Sequence, residues 1–253
     1  MHAKGEFGYK TPHASAVYFF SRKIGKEDKM NKEITKSNTL RLVLTAMMLA
    51  IATVIAFICS LVPFLNFPFG GGITICSMLP IILISYIYGV KWGLFTGVTY
   101  SVIQMMLGYG TIGALFTPTS DEFQGILNAF LICIIDYVLA YTALGLGGIF
   151  RNKIQNKGLA LCLGSIVAIA VCYAFHVLSG FIFYGAWAEW FFTDTVIADL
   201  GVSKWIMNTF TGGGLSFIYS LVYNGCYMIP EMIITAICAF PIAEIHVIKK
   251  IDI

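Results

Sequence analysis

Charge is scarce in this chain. Asp, Glu, Lys and Arg together make up 11% of its 253 residues, where soluble domains carry about 25%. Hydrophobic residues reach 58% and the mean hydropathy is +0.82, which excludes an ordinary water-soluble fold. A bilayer asks for spans of about 20 mostly apolar residues and tolerates no irregular backbone open to lipid. The composition therefore predicts an all-α integral membrane protein, one helical bundle in the lipid bilayer with no room for a second, soluble domain.

The signatures of catalysis are missing as well. No G-x-x-x-x-G-K-[ST] loop occurs, which excludes nucleotide hydrolysis of the P-loop kind by this chain. No G-x-S-x-G turn is present; Gly214-Leu215-Ser216-Phe217 does not continue into the pattern. Asp136 has no second intramembrane aspartate with which to form a protease pair. The seven cysteines, Cys59, Cys76, Cys133, Cys162, Cys172, Cys226 and Cys238, are scattered; none form C-x-x-C or sit at metal-ligand spacing from a histidine. They read as small apolar packing residues. The chain is expected not to be an enzyme and to carry no metal and no cofactor.

What is present is a series of long apolar stretches. Residues 1–38 contain no span and no signal-peptide core, and are expected to be a disordered cytoplasmic tail. Met30 opens the more usual start Met-Asn-Lys-Glu, so initiation there is a second expectation, which a native N-terminus at Met1 or His2 would exclude. Residues 39–253 then form the membrane domain, with apolar stretches over 42–65, 73–88, 92–107, 126–150, 159–183 and 215–247. The last is longer than one span requires and contains Pro230 and Pro241, which predicts either a tilted, kinked helix or an interfacial turn at its end.

Six crossings can be tested by where Lys and Arg fall, since short cytoplasmic loops are enriched in both. One side holds nine up to Arg41, then Lys91, then Arg151, Lys153 and Lys157, then Lys249 and Lys250. The other holds Lys204 together with Asp121, Glu122, Glu189, Asp194 and Asp199. Six spans with both termini cytoplasmic follow. The loops expected outside, 109–125 and 186–214, are long, and the second carries Trp187, Trp190 and Trp205. Loops of this length are often lids, while tryptophans at this depth also form an interfacial belt; both readings stand.

Ionisable groups inside spans cost about 2.5–3.5 kcal/mol each on insertion scales, so Asp136, His176 and Glu231 need reasons. Gln104, Tyr137, Tyr219, Tyr223 and Asn224 lie at similar depth. His176, Gly180 and Tyr184 follow one another at intervals of four along a single helix stripe. A carboxylate, amide and phenol groups and aromatic faces would suit a small organic cation with hydrogen-bonding ring nitrogens. Alternatively, Asp136 and His176 pair with each other to hold the bundle together. Glu231 follows Pro230 and is read as structural, satisfying backbone groups freed by a kink.

Several separated motifs, in order, carry a resemblance. These are Gly70-Gly-Gly-Ile-Thr-Ile-Cys-Ser-Met-Leu-Pro80 with the following Ile81 to Gly93, Asp136-Tyr137 leading to Ala143-Leu-Gly-Leu-Gly-Gly-Ile-Phe-Arg151, Phe175-His176-Val-Leu-Ser-Gly180, and Tyr219-Ser-Leu-Val-Tyr-Asn224-Gly225. Over about 42–245 the chain resembles the thiamine-specific substrate-binding (S) component of energy-coupling factor (ECF) transporters. The resemblance implies a six-helix subunit of a prokaryotic cell membrane. It would bind thiamine tightly near its outer face and work with a transmembrane coupling protein and two cytoplasmic ATPases, with no nucleic-acid partner.

The family's binding acid falls on Asp136, a shorter carboxylate than the glutamate of some members, with Tyr137 beside it. Its histidine falls on His176, and its last-helix tyrosine and asparagine on Tyr219 and Asn224. The aromatic position eight residues after the histidine is Tyr184. In that scheme Asp136 holds the aminopyrimidine or balances the cation, Asn224 and Tyr219 complete the hydrogen bonds, and His176 and Tyr184 line the thiazolium side.

Where some members have a tryptophan before the second helix, this chain has Gly70 to Gly72, which leaves stacking to Tyr109, Trp187 or Trp190. Thiamine is the first expected ligand, with a hydroxymethylpyrimidine-like or phosphorylated relative second. Ala46 and Ala50 form a small-x-x-x-small face of the kind the family uses to dock on its coupling protein; Ala52 and Ala56 repeat the spacing, so an intramolecular role is the alternative. A proton-coupled secondary transporter of thiamine or a related cation, using Asp136, His176 or Glu231, is the rival function.

Overall fold

A computed structural model describes residues 38–67, 71–195 and 197–245. Residues 1–37 of the expected N-terminal tail, both candidate start sites and residues 246–253 lie outside them, and Asn38 already opens the first helix. Among the described residues the chain is helical, with one isolated antiparallel bridge, Asn66 to Gly72, as its sheet-like feature. Helices overlap each of the expected apolar stretches among the described residues: α1 (Asn38–Ser60), α2 (Leu79–Tyr88), α3 (Val90–Leu107), α5 (Ile126–Gly148), α6 (Lys157–Phe183) and α9 (Gly212–Glu244). Short helices fill the two long loops: α4 (Tyr109–Phe116), α7 (Ala188–Asp194) and α8 (Gly201–Thr209).

Four of these, α1, α5, α6 and α9, are long and apolar enough to cross a membrane. Their outward faces are apolar too: Met47, Phe57, Phe130, Ile134, Ile182, Ile233 and Ile237 are all exposed. Contiguous apolar surface of that kind is stable only against lipid or another protein. With the polar groups turned inward, this is a membrane protein.

The second stretch is not one helix from Ile73. Helix α2 begins at Leu79, with Pro80 in its first turn, where a missing N–H is harmless. The residues before it run irregularly, and Ile75 and Cys76 have left-handed φ values of 41° and 68°. Every residue of α2 from Leu79 to Tyr86 is buried, which is why this segment reads as a continuous apolar run instead of an amphipathic one. The last stretch is a continuous 33-residue helix that contains both Pro230 and Pro241.

Glycines set how closely the helices approach. A Cβ on Gly145 would collide with the backbone of Gly93 and Leu94, one on Gly148 with the Ser85 carbonyl, and one on Gly164 with the Gly147 carbonyl. Between them Ser85 donates to the Gly145 carbonyl at 2.5 Å and accepts from the Gly148 N–H at 3.0 Å. The run Ala143–Gly148, wound as a 3-10 turn at the end of α5, is thus the point where α2, α3, α5 and α6 meet.

Helices α6 and α9 run antiparallel and share hydrogen bonds along their contact. Tyr173 donates to the Leu221 carbonyl at 2.7 Å, and Ser220 to the Val177 carbonyl at 2.7 Å.

The two ends of the bundle differ. At one end the Arg41 guanidinium lies 4.0 Å over the Trp92 ring and Arg151 approaches Gly89, which gathers Arg41, Lys91 and Arg151 around the α2–α3 turn. The other end is built from the C-termini of α1, α3 and α6 and the N-termini of α2, α5 and α9, with α4, α7 and α8 beside them.

The two small-residue pairs of α1 face different ways. Ala46 and Ala50 are exposed on the outside of the bundle, whereas Ala52 and Ala56 are buried within it.

Candidate functional site

The end of the bundle remote from Arg41, Lys91 and Arg151 contains a cavity of about 260 Å³. Its walls are Ala56, Cys59 and Ser60 at the end of α1, the segment carrying Gly71 to Thr74, Gln104 and Leu107 of α3 with Gly108 after it, and faces of α5, α6 and α9. Each of the six residues singled out from the sequence lines it: Asp136, Tyr137, His176, Tyr184, Tyr219 and Asn224.

Asp136 and Tyr137 lie within Cys133–Leu139, which is wound as a π-helix. Such widened turns are rare and recur at functional sites. The Asp136 carboxylate meets His176 Nδ1 at 2.8 Å, and its side chain remains 26% exposed. A carboxylate can only accept, so Nδ1 carries the proton in this bond. Nε2 on the opposite side of the ring is buried and has no hydrogen-bond partner among the described residues. The pair expected as an alternative to ligand contact therefore forms, yet inside the cavity wall and with an unused nitrogen.

The rest of the wall is largely phenolic. On α9, Tyr219, Tyr223 and Tyr227 follow at intervals of four, with ring centroids 5.7 and 6.0 Å apart. Phe191 of α7 backs the first two at 5.3 and 5.8 Å, and Phe67 packs on the last two at 6.3 and 5.9 Å. Tyr141 of α5 stands edge-on to His176 at 5.9 Å. Tyr141 and Tyr227 were not singled out from the sequence, although each continues a spacing of four from a tyrosine that was.

Tyr109, Trp187 and Trp190 are not among the cavity-lining residues: Tyr109 is exposed, and the two tryptophans pack against each other at 6.0 Å. It is Phe191 from the same loop that reaches the wall.

Asn224 has its amide engaged within the protein. Nδ2 donates to the His176 carbonyl at 3.3 Å and the Ser220 carbonyl at 2.9 Å, while Oδ1 accepts from Tyr227. It ties α6 to α9 as well as facing the cavity.

Glu231 does satisfy backbone groups, but not those of its own proline-bearing helix. Its two oxygens accept from the Thr74 N–H at 3.1 Å and the Cys76 N–H at 3.0 Å, because the left-handed turn at Ile75 and Cys76 directs those amides at α9.

The close approach of that segment also explains the glycines before α2. A Cβ on Gly71 would lie 2.6 Å from the Tyr227 ring and 3.2 Å from the Tyr223 hydroxyl. Gly70 lies outside the described residues.

No Lys or Arg lines the cavity, and no cluster of three or more metal-ligating side chains occurs among the described residues. A carboxylate, an imidazole nitrogen without a partner among the described residues and aromatic faces suit a small organic cation.

Residues 42–190 match a protein family described as thiamine transporter protein (Thia_YuaJ). Among characterised proteins, the thiamine transporter ThiT of Bacillus subtilis (strain 168) is 30% identical over 207 residues, covering 78% of this chain and 87% of that protein.

Proposed function

The chain belongs to the thiamine transporter family, and from that membership we propose that it is the substrate-binding subunit of an energy-coupling factor importer, binding thiamine with high affinity from the outer face. The observation that carries this reading is the cavity: its ionisable wall residues are the Asp136–His176 pair, tyrosines and Cys59, with no Lys or Arg, and it lies at the end of the bundle away from Arg41, Lys91 and Arg151. If the basic end is cytoplasmic, as short-loop charge bias requires, six crossings with both termini inside put the cavity at the outer face of a prokaryotic cell membrane. In this reading Asp136 holds the aminopyrimidine or balances the thiazolium charge. His176 Nε2 accepts a ligand N–H, and Tyr137, Tyr184 and Tyr219 supply faces and hydroxyls.

The chain has no nucleotide site of the P-loop kind, so transport energy comes from a transmembrane coupling protein and two cytoplasmic ATPases. The exposed pair Ala46 and Ala50 is the docking face for the coupling protein, since small residues let a partner helix approach closely.

The test is calorimetric or fluorescence titration of the purified subunit with thiamine, and with pyridoxine and riboflavin as controls. Saturable, thiamine-selective binding without ATP, partners or a proton gradient is expected. Absence of binding would remove the capture role, and uptake that follows an imposed proton gradient in vesicles containing this chain alone would replace it with proton coupling.

A further inference from the structure

Gly71 to Thr74 line the cavity without belonging to a helix, since α2 begins only at Leu79. On one side the segment is tied to the residues that follow α1: the Phe67 N–H donates to the Gly71 carbonyl at 2.7 Å, and the Ile73 N–H to the Leu65 carbonyl at 2.9 Å. Beyond Ile73 the backbone enters a conformation that costs energy. Ile75 and Cys76 are both left-handed, at φ 41° and 68°, and a β-branched residue is a rare occupant of that region. The Ile75 side chain is 46% exposed, so its burial does not hold the turn in place.

Glu231 does. The N–H groups of Thr74 and Cys76 point to one side of the turn, and converging backbone donors of this kind favour an anion. The two Glu231 oxygens take one N–H each, at 3.1 and 3.0 Å. The residue is 1% exposed, so water does not compete for these bonds. Glu231 also continues the spacing of four set by Tyr219, Tyr223 and Tyr227 on α9. The helix stripe that lines the cavity therefore grips the segment beside it at two heights: Gly71 lies against the Tyr227 ring, and one turn further on the carboxylate holds Thr74 and Cys76.

We infer that Glu231, itself outside the cavity lining, is a positioning residue for ligand affinity: it offsets the strain of the turn at Ile75 and Cys76 and so keeps Gly71 to Thr74 in the cavity wall before ligand arrives. Without it the turn relaxes, and binding is weakened in proportion to the fraction of molecules that still hold the wall in place. This rests on the proposal that the cavity binds thiamine.

The experiment combines thiamine titration of the purified full-length chain with hydrogen exchange, read by mass spectrometry in the absence of ligand. Glu231→Gln keeps the side-chain length but sets an NH₂ group against one of the two N–H donors. Affinity should fall about fivefold or more, the low end of what one strained residue costs. Exchange should quicken in peptides covering residues 71–78 and stay at wild-type rates in α5 and α6. Ile75→Gly removes the strain and leaves the carboxylate untouched. Alone it should keep affinity within about twofold of wild type, because glycine adopts left-handed φ without cost. Combined with Glu231→Gln it should recover most of the lost affinity.

Unchanged affinity in Glu231→Gln, faster exchange spread over all helices, or no recovery in the double variant would show a merely structural role and overturn the inference. Should Glu231→Gln not fold, Glu231→Met, of similar length and with no charge to bury, is measured in its place against the same outcomes. Failure of wild type to bind thiamine would overturn the functional reading instead, while local exchange with and without Ile75→Gly still decides whether Glu231 holds the wall.

Discussion

Asp136 and His176 show how one contact serves two ends. Buried in lipid, an isolated carboxylate is costly; the His176 Nδ1–H offsets part of that cost while leaving Nε2 without a partner. Replacing Asp136 by Ala removes the cavity's carboxylate and frees the imidazole to change tautomer. Thiamine affinity should fall by about 1.5–3 kcal/mol, or about ten- to a hundredfold, as expected for a hydrogen bond to a charged group. Asp136→Asn should retain the fold and lose a similar amount, and calorimetry on both variants separates lost charge from lost shape. Affinity equal to wild type in Asp136→Ala would remove the carboxylate from the site.

Gly71 matters at the same scale for a steric reason. Gly71→Ala puts a methyl group 2.6 Å from the Tyr227 ring, so the ring or the segment must shift. Weaker binding with little change in unfolding temperature is the expected pattern.

At the level of elements, the bundle is divided between an end that packs and an end that opens into the cavity. Where α2, α3, α5 and α6 meet, glycines allow backbone to lie on backbone, and Ser85 satisfies two of the main-chain groups brought together there. Gly148→Val or Gly164→Leu would drive a side chain into a carbonyl. A destabilisation of about 1–3 kcal/mol, typical of overpacking, should appear as earlier thermal unfolding in detergent, followed by size-exclusion fluorescence.

At the other end the helices part and tyrosines face the gap. Helix α5 changes character between the two: π-wound at Asp136 and Tyr137, 3-10 at the glycine run. The glycine-rich motif was visible in the chain and its packing role follows from residue size. The π turn was not visible, because backbone winding of this kind leaves no periodicity in a stretch that is apolar on every side.

For the whole molecule, the asymmetry of charge and the position of the cavity make one joint prediction. Single cysteines placed at Lys91 or Lys153 in a background lacking native cysteines should react with membrane-impermeant thiol reagents only when the cytoplasmic face is accessible. One at Lys204 should react from outside. Labelling of Lys204 and Lys91 positions from the same side would break both the six-crossing scheme and the outward-facing site. The Ala46 and Ala50 face gives a second whole-molecule prediction: large residues there should abolish coupled uptake while leaving thiamine binding by the isolated subunit unchanged, since neither residue lines the cavity.

The amino-acid order alone determined the class of molecule, the six apolar stretches and the candidate residues for the site. Hydrophobicity, charge placement and spacings of four are local quantities and survive without coordinates; the stripe of His176, Gly180 and Tyr184 came from spacing, Asp136 and Asn224 from polar groups inside apolar stretches, and the family resemblance supplied their expected roles. Tertiary structure alone decided which groups meet across the chain. Glu231 accepts amides 157 and 155 residues away, and a backbone N–H has no side-chain signature to announce it. Nor could spacing tell that Trp187 and Trp190 face each other while Phe191 reaches the tyrosines, because that depends on how a loop helix rolls onto α9.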